Sequence, residues 1–266
     1  MRNLDTEKES KLKKILQDTG KLAIAYSGGY DSSFLAKIAE KILGSENVLL
    51  IHVKSVFSPL RDEIAVANFA KCARVRIINI SVNPLANEKI VKNSRRRCYH
   101  CKKVIMKLVT EKGKSLGFAK FADGTNFDDL FEERPGFKAS NELRIMHPLL
   151  DAGLRKGDMV AISEKYGFDL SFSPSSACLA TRIPFGTRLS VKALRMADGA
   201  ENILCGFRIT SPRVRVYGEA AVIEIFPELF EVVLKNREEI VSKIKGLGFK
   251  KVFLDLLGYK KNLKAV

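Results

Sequence analysis

Two rhythms of apolar and polar residues divide this chain. Over residues 5–18, Leu12, Ile15 and Leu16 fall on one stripe among many charges, which predicts a surface helix. Leu22 to Ala25 is a short strand-like run, and Val48 to Val53 is continuously apolar, as in parallel strands buried on both faces. Between them a helix from Ser33 to Lys41 is expected, with Phe34, Leu35, Ile38 and Ile42 on its inner face. The pattern predicts further helices over 61–72, 84–92 and 101–116, and further strands over 75–80 and 119–123. Strand alternates with helix throughout. The predicted fold class is α/β, a doubly wound parallel sheet with helices on both faces.

A second region follows Pro184-Phe185-Gly186-Thr187. A helix over 190–205 precedes two β-type runs, Val214 to Tyr217 and Ala221 to Phe226, whose Gly218-Glu219 turn predicts a hairpin. Helices over 228–235 and 237–246 and a strand over 251–254 complete a small α+β domain. The expected domains are therefore 1–188 and 189–266.

The turn after the first strand, Ser27-Gly28-Gly29-Tyr30-Asp31-Ser32, changes this picture from architecture to chemistry. A strand, a glycine turn and a helix N-terminus together make an anion site, because backbone can approach a phosphate and the first helical N–H groups point at it. Ser27, Ser32 and Ser33 can add hydroxyl donors. No G-x-x-x-x-G-K-S/T is present, so this is not the loop that cradles a hydrolysed triphosphate. The plainer reading is a tight turn with serine caps.

Composition narrows the partners. Net charge is +16, which favours nucleotides, phosphorylated metabolites or RNA. No apolar run approaches the roughly 18 residues of a membrane span, and the polar start MRNLDTEKES lacks the apolar stretch of a signal peptide. A cytoplasmic protein without membrane partners is expected.

Five cysteines, an odd number, argue for metal or catalytic chemistry over disulfides. Cys98 and Cys101 lie in Arg95-Arg96-Arg97-Cys98-Tyr99-His100-Cys101-Lys102, just before a predicted helix. Two thiols three apart can share a metal, and nearby cations stabilise their thiolates. Half a zinc site with His100, a redox pair and two buried thiols all fit the spacing. Cys178 follows a Pro/Ser-rich turn with Arg182 four residues on, the setting of an exposed, electropositive thiol or of a small packing residue. Three cysteines without a fourth fit an iron–sulfur cluster with one open iron, or a nucleophile beside a separate pair. Cys72 and Cys205 read as packing residues.

The glycine turn resembles the PP-loop of the ATP pyrophosphatases. The order SGGYDS, Ser58-Pro59, RCYHCK, ADGTNFDDL, RPG, HPL, SACLATRIPFGT and PRVRVYG is similar to the LarE family of ATP-dependent sulfur transferases, over about residues 10–255. The resemblance implies a PP-loop domain with a small C-terminal domain. It implies adenylation of a carboxylate on a phosphorylated small molecule, a pyridinium-biscarboxylate mononucleotide on the route to the nickel-pincer cofactor, followed by sulfur insertion. ATP and Mg²⁺ are the implied cofactors, with Ser27, Gly28, Gly29, Asp31, Ser32 and Arg182 around the nucleotide and Asp31 organising Mg²⁺ or pyrophosphate. Cys98, Cys101 and Cys178 match the ligands of a [4Fe-4S] cluster that delivers sulfide from a sulfur donor; in other members the residue matching Cys178 sacrifices its own sulfur. Arg213 and Arg215, two apart on one strand, match the substrate-phosphate arginines, and Glu201 and Glu224 match acids that bind divalent metal. A homo-oligomer is implied as well. Two places depart from the family pattern, Phe172-Ser173-Pro174 and Val222. Rival readings are a tRNA thiolase with the same loop and cluster, an amidating synthetase, and a zinc-stabilised nucleotide-binding regulator.

Overall fold

Four short apolar runs pair into one parallel sheet. Strands β1 (Leu22–Ala25), β2 (Val48–Lys54), β3 (Arg76–Ser81) and β4 (Phe121–Ala122) lie in the order β3-β2-β1-β4. Between and after them come helices α1 (Arg2–Gln17), α2 (Tyr30–Leu43), α3 (Leu60–Cys72), α4 (Glu88–Val91), α5 (Arg97–Lys114), α6 (Pro135–Glu142), α7 (Pro148–Asp151) and α8 (Lys156–Tyr166). The remainder holds α9 (Val191–Gly206), β5 (Arg213–Tyr217), β6 (Ala220–Glu224), α10 (Phe230–Lys235), α11 (Arg237–Gly246) and β7 (Lys251–Leu254). This computed structural model describes residues 2–131, 135–170 and 177–259. The departure at Phe172-Ser173-Pro174 lies outside the described residues.

The chain divides into two compact units. The first comprises Met1–Ser55, Asp62–Val82 and Cys98–Ser175; the second comprises Val56–Arg61, Asn83–Arg97 and Ser176–Val266. The division expected at 188/189 falls inside the second.

In the first unit, side chains alternate across the sheet as strand geometry requires. Leu22, Ile24, Val48 and Leu50 join Leu12 and Leu16 of α1 and Phe34, Leu35 and Ile38 of α2 in one core. Ala23, Leu49 and Ile51 face a second core with Met106 and Val109 of α5, Phe121 and Ile145. Both faces are covered, which is why β1 and β2 read as unbroken apolar runs, and the α/β doubly wound class is the one found. Each fully buried Leu or Ile contributes about 1.5–3 kcal/mol.

Three local differences from expectation have physical causes. The predicted helix over 84–92 is broken, because the side chains of Asn83 and Asn87 accept from Leu85 N (3.1 Å) and Lys89 N (3.0 Å) and restart the backbone twice. Helix α5 begins at Arg97, four residues before its predicted start, so both thiols of the C-x-x-C lie in its opening turn. Residues 135–166, to which the apolar pattern assigned no element, form α6, α7 and α8; the last stops at Gly167 in the left-handed conformation (φ 64°).

In the second unit the expected hairpin forms, with Arg213 opposite Glu224, Val214 opposite Ile223 and Gly218 (φ 61°) in the turn. Strand β7 adds to β6 in parallel. Val214, Val216, Ala221 and Ile223 are buried with Leu194, Ala197, Ala200 and Leu204 of α9, and Ile240 and Ile244 of α11 are buried too. Among the described residues no helix is long and apolar enough to cross a membrane.

Candidate active site

In the first unit the strand order places the glycine turn. The chain runs from β1 outward through β2 and β3, then returns so that β4 pairs with the other side of β1. Ligands of such sheets bind beyond the carboxyl ends of the strands at this reversal. Ser27-Gly28-Gly29 leaves β1 there, and Gly124 leaves β4 beside it. A Cβ on Gly28 (φ 80°) would stand 2.7 Å from Val66 Cγ2 and 3.1 Å from Asp62 O, so no other residue fits. A Cβ on Gly124 would stand 2.8 Å from Ser32 N. The two loops therefore touch backbone to backbone.

Within the turn the serines serve one another. Ser27 N–H donates to Ser32 Oγ (3.3 Å), Ser32 Oγ donates to Gly29 O (3.0 Å), and Gly29 N–H donates to Ser27 Oγ (3.3 Å). Ser33, expected among the donors, is buried with its hydroxyl 3.1 Å from Tyr26 Oη. Gly29 caps α2 without a side chain, and Asp31 sits in the first helical turn. The dipole and first amides of α2 are thus offered to an anion by a braced loop.

The loop after β4 holds a network that the sequence reading missed. Asp123 is buried; its Oδ1 lies 2.8 Å from His147 Nδ1 and accepts from Thr125 N (3.1 Å), while Oδ2 takes Lys102 Nζ (2.9 Å) and Ser140 Oγ (3.2 Å). Burial works to raise its pKa, but the Lys102 charge and the His147 contact outweigh it and hold it well below the usual carboxylate range. The signal was present in ADGTN and HPL, but nothing in spacing says that residues 102, 123, 140 and 147 meet.

Cys98 and Cys101 are half-buried, three apart in the opening turn of α5, and so on one helix face. Tyr99 is anchored by donating to Glu142 Oε2 (2.8 Å), which also takes Lys103 Nζ (2.7 Å).

In the second unit Cys178, also half-buried, precedes a single 3₁₀ turn, Leu179–Arg182. Its carbonyl accepts from Thr181 N (3.0 Å) and Thr181 Oγ1 (2.8 Å), and Arg182 Nη1 reaches Ala177 O (3.0 Å) and Thr181 Oγ1 (2.7 Å). Arg182 is fully buried and its other nitrogens meet Glu201: Nε to Oε1 at 2.6 Å, Nη2 to Oε2 at 3.1 Å. Glu201 also accepts from Val214 N (3.1 Å) and pairs with Arg61 Nη2 (2.8 Å). Arg215 donates to Glu224 Oε1 (2.9 Å) and to Thr181 O (2.5 Å). Arg213 is buried, donates to Pro212 O (3.2 Å) and lies 5.3 Å from the Tyr259 ring, with no ion pair among the described residues. Burial, then the charge of Arg182, pulls its pKa down, and the charge of Glu201 only partly offsets them.

Comparison with known proteins completes the evidence. The NAD synthase family matches residues 6–107, the span of the glycine turn. The chain is 35% identical over 240 residues to an uncharacterized protein of Methanocaldococcus jannaschii, covering 90% of this chain and 91% of that one. It is 33% identical to an uncharacterized protein of Synechocystis, with 95% and 96% covered. It is 26% identical over 253 residues to the pyridinium-3,5-bisthiocarboxylic acid mononucleotide synthase of Lactiplantibacillus plantarum, with 95% and 92% covered. This chain belongs to the LarE family. Its class is that of ATP-using sulfurtransferases.

Against the roles that LarE membership implies, the structure sorts the residues unevenly. It joins Ser27, Gly28, Gly29, Asp31 and Ser32 into one loop. It turns Glu201 and Arg182 toward each other, so Glu201 meets arginines and a backbone amide where the resemblance implied a divalent metal. Glu224 likewise meets Arg215. Cys98 and Cys101 belong to the first unit and Cys178 to the second. Among the described residues no three histidine, cysteine, aspartate or glutamate side chains form a metal-holding group. Cys72 and Cys205, expected as packing residues, are exposed on their helices.

Proposed function

We propose that this LarE-family chain adenylates a carboxylate of a pyridinium-biscarboxylate mononucleotide with ATP and replaces the activated oxygen with sulfur. The observation that carries this reading is the braced glycine turn at the reversal of strand order, with an uncapped helix N-terminus behind it. In the first half-reaction a substrate carboxylate oxygen attacks the α-phosphorus and expels pyrophosphate. Residues Ser27 to Ser32 and the amides of α2 hold the phosphates; Asp31 would hold a Mg²⁺, which would supply charge neutralisation for the leaving pyrophosphate. In the second, a sulfur nucleophile attacks the acyl carbon and expels AMP, leaving a thiocarboxylate. Arg213, buried with no ion pair among the described residues, takes the substrate phosphate together with Arg215.

For sulfur, the donor set is Cys98, Cys101 and Cys178; a [4Fe-4S] cluster on these thiols would supply sulfide, with support from the resemblance and from thiolate chemistry. The second reading has Cys178 give up its own sulfur by breaking its Cβ–S bond. What supports it is the resemblance, which implies this chemistry for the residue matching Cys178 in other members of the family.

The test is pyrophosphate release from ATP, with and without the biscarboxylate mononucleotide, run on anaerobically purified protein assayed for iron and acid-labile sulfide. Release that depends on this substrate is expected, and release with no carboxylate, or none at all, would overturn the reading. About four irons and four sulfides per chain, lost in Cys98→Ala and Cys178→Ala, would establish the cluster. Neither iron nor sulfide, with a mass loss of one hydrogen sulfide after turnover, would establish sacrifice of Cys178.

A further inference from the structure

The run Arg95-Arg96-Arg97 has no part in the steps above, and its last member is not a surface charge. Arg97 opens α5, one residue before Cys98 in the chain, and is buried (2% exposed). Its Nη1 donates to Ala180 O (2.9 Å) and to Asn93 Oδ1, and its guanidinium lies 5.3 Å from the Phe185 ring, close enough to be attracted by it. Arg97 and these three partners all belong to the second unit.

Asn93 is the other half of the grip. It is fully buried and holds φ at 54°, a left-handed conformation that residues with a side chain seldom adopt and that asparagine tolerates. Its Nδ2 donates to Pro184 O (2.8 Å) and Ile183 O (3.3 Å), its carbonyl accepts from Gly186 N (3.0 Å), and its Oδ1 takes Arg97. The two side chains thus hold the carbonyls of Ala180, Ile183 and Pro184. Leu179 N donates to Phe57 O (2.9 Å), Arg182 Nη1 holds Ala177 O (3.0 Å) and Arg215 Nη1 holds Thr181 O (2.5 Å). A single 3₁₀ turn has poor hydrogen-bond geometry of its own, so the shape of this one rests on the side chains around it. The residue at its start is Cys178.

We propose that Arg97 and Asn93 are positioning residues for the sulfur step, clamping residues 178–184 so that the Cys178 thiol keeps one place and direction. They act through the backbone of the loop, not on the reacting atoms. A displacement of about 1 Å at a reacting group can cost about 10²-fold in rate, and the clamp prevents such a displacement. This inference rests on the sulfur-transfer reading of Cys178, in either of its two forms.

Two measurements on the full chain test it, with Arg97→Met, Arg97→Lys and Asn93→Gly. Glycine accepts a positive φ, so the last variant removes the amide without straining the backbone. The first measurement is timed iodoacetamide labelling after treatment with a chelator, read peptide by peptide by mass spectrometry. In Arg97→Met and Asn93→Gly, Cys178 should label at least about threefold faster because the loop opens more easily, while Cys72 of the first unit changes by less than about twofold. Arg97→Lys, which keeps the charge and a donor for Ala180 O, should recover part of the original rate. The second measurement compares the half-reactions: thiocarboxylate formation should fall at least about tenfold, with substrate-dependent pyrophosphate release held within about twofold. Unchanged labelling of Cys178 in both Arg97→Met and Asn93→Gly would overturn the inference, since the loop would then be held without them. A parallel fall in both half-reactions, the mark of a merely structural role, would overturn it too. Should Arg97→Met not fold, Asn93→Gly and Arg97→Lys carry the same test. If the unaltered chain forms no thiocarboxylate, the sulfur-transfer reading falls and the clamp's role in it falls too, while the labelling still decides whether the clamp holds the loop.

Discussion

The two units handle negative charge in opposite ways. In the first, the glycine turn offers backbone amides and a helix dipole, and its side chains are spent on bracing the loop. In the second, charge is concentrated in side chains: Arg61 and Arg182 converge on one buried carboxylate, Glu201, and Arg213 lies buried with no ion pair among the described residues. An amide site costs little when empty, because partial charges at the edge of a sheet stay close to water. Buried guanidinium groups are costly unless paired. The first design is open for a ligand whose charge enters and leaves at each turnover. The second holds one shape, here the backbone around Cys178.

The largest expected effect breaks the second design. Glu201→Ala strips the shared partner from two buried guanidinium groups and should cost about 3–5 kcal/mol, read as a lower urea midpoint with an unchanged slope. A loss below about 1 kcal/mol would mean that the arginines find other partners and that the contrast between the units is overstated. Glu201→Gln should recover part of the loss through its remaining carbonyl oxygen.

A mid-sized effect breaks the first. Gly28→Ala forces a Cβ against Val66 and the carbonyl of Asp62 at a positive φ, and should cost roughly 1–3 kcal/mol. Nucleotide affinity should fall by at least about tenfold while Cys178 keeps its reactivity toward a small thiol reagent. Parallel losses at both sites would erase the distinction.

The smallest effect asks how the first unit treats a buried acid. Glu9 of α1 takes Lys13 Nζ and Lys165 Nζ, each at 2.8 Å, and the hydroxyl of Tyr166. Burial works to raise its pKa, but the hydrogen bonds from Lys13, Lys165 and Tyr166 pull it down from 4.5 to about 2. A group whose folded pKa is depressed stabilises fully above its unfolded value and loses that stability as pH falls. The thermal midpoint should therefore drop between about pH 4.5 and 2. Glu9→Gln should lower stability by about 1 kcal/mol at pH 7 and flatten the decline of the midpoint with pH. An unchanged profile would show that these flexible lysine pairs, unlike the arginine pairs on Glu201, contribute nothing.

Legibility in the sequence followed the range of the physics involved. The glycine turn was readable because strand, turn and helix start are consecutive, and the space around Gly28 confirms why that residue is glycine. Helices α6 to α8 were not, since they are short and carry few apolar residues at helical spacing. The early start of α5 was missed because its first turn, Arg97-Cys98-Tyr99-His100, is polar and reads as loop until its partners are known. For Glu201 and Arg182 a family role was assigned to each alone. Their mutual pairing, across 19 residues, cannot be seen one residue at a time.

By itself the sequence determined the α/β class, the glycine turn, the two thiols at three-residue spacing and the hairpin with its two arginines, because each is set by neighbours within a few positions of the chain. Tertiary structure alone decided that β4 returns beside β1, which puts Gly124 against Ser32. It decided that Asp123 gathers Lys102, Ser140 and His147, and that Glu201 is filled by arginines. These outcomes depend on which distant segments share a sheet and which charges must be neutralised once water is excluded, and neither is written in local order.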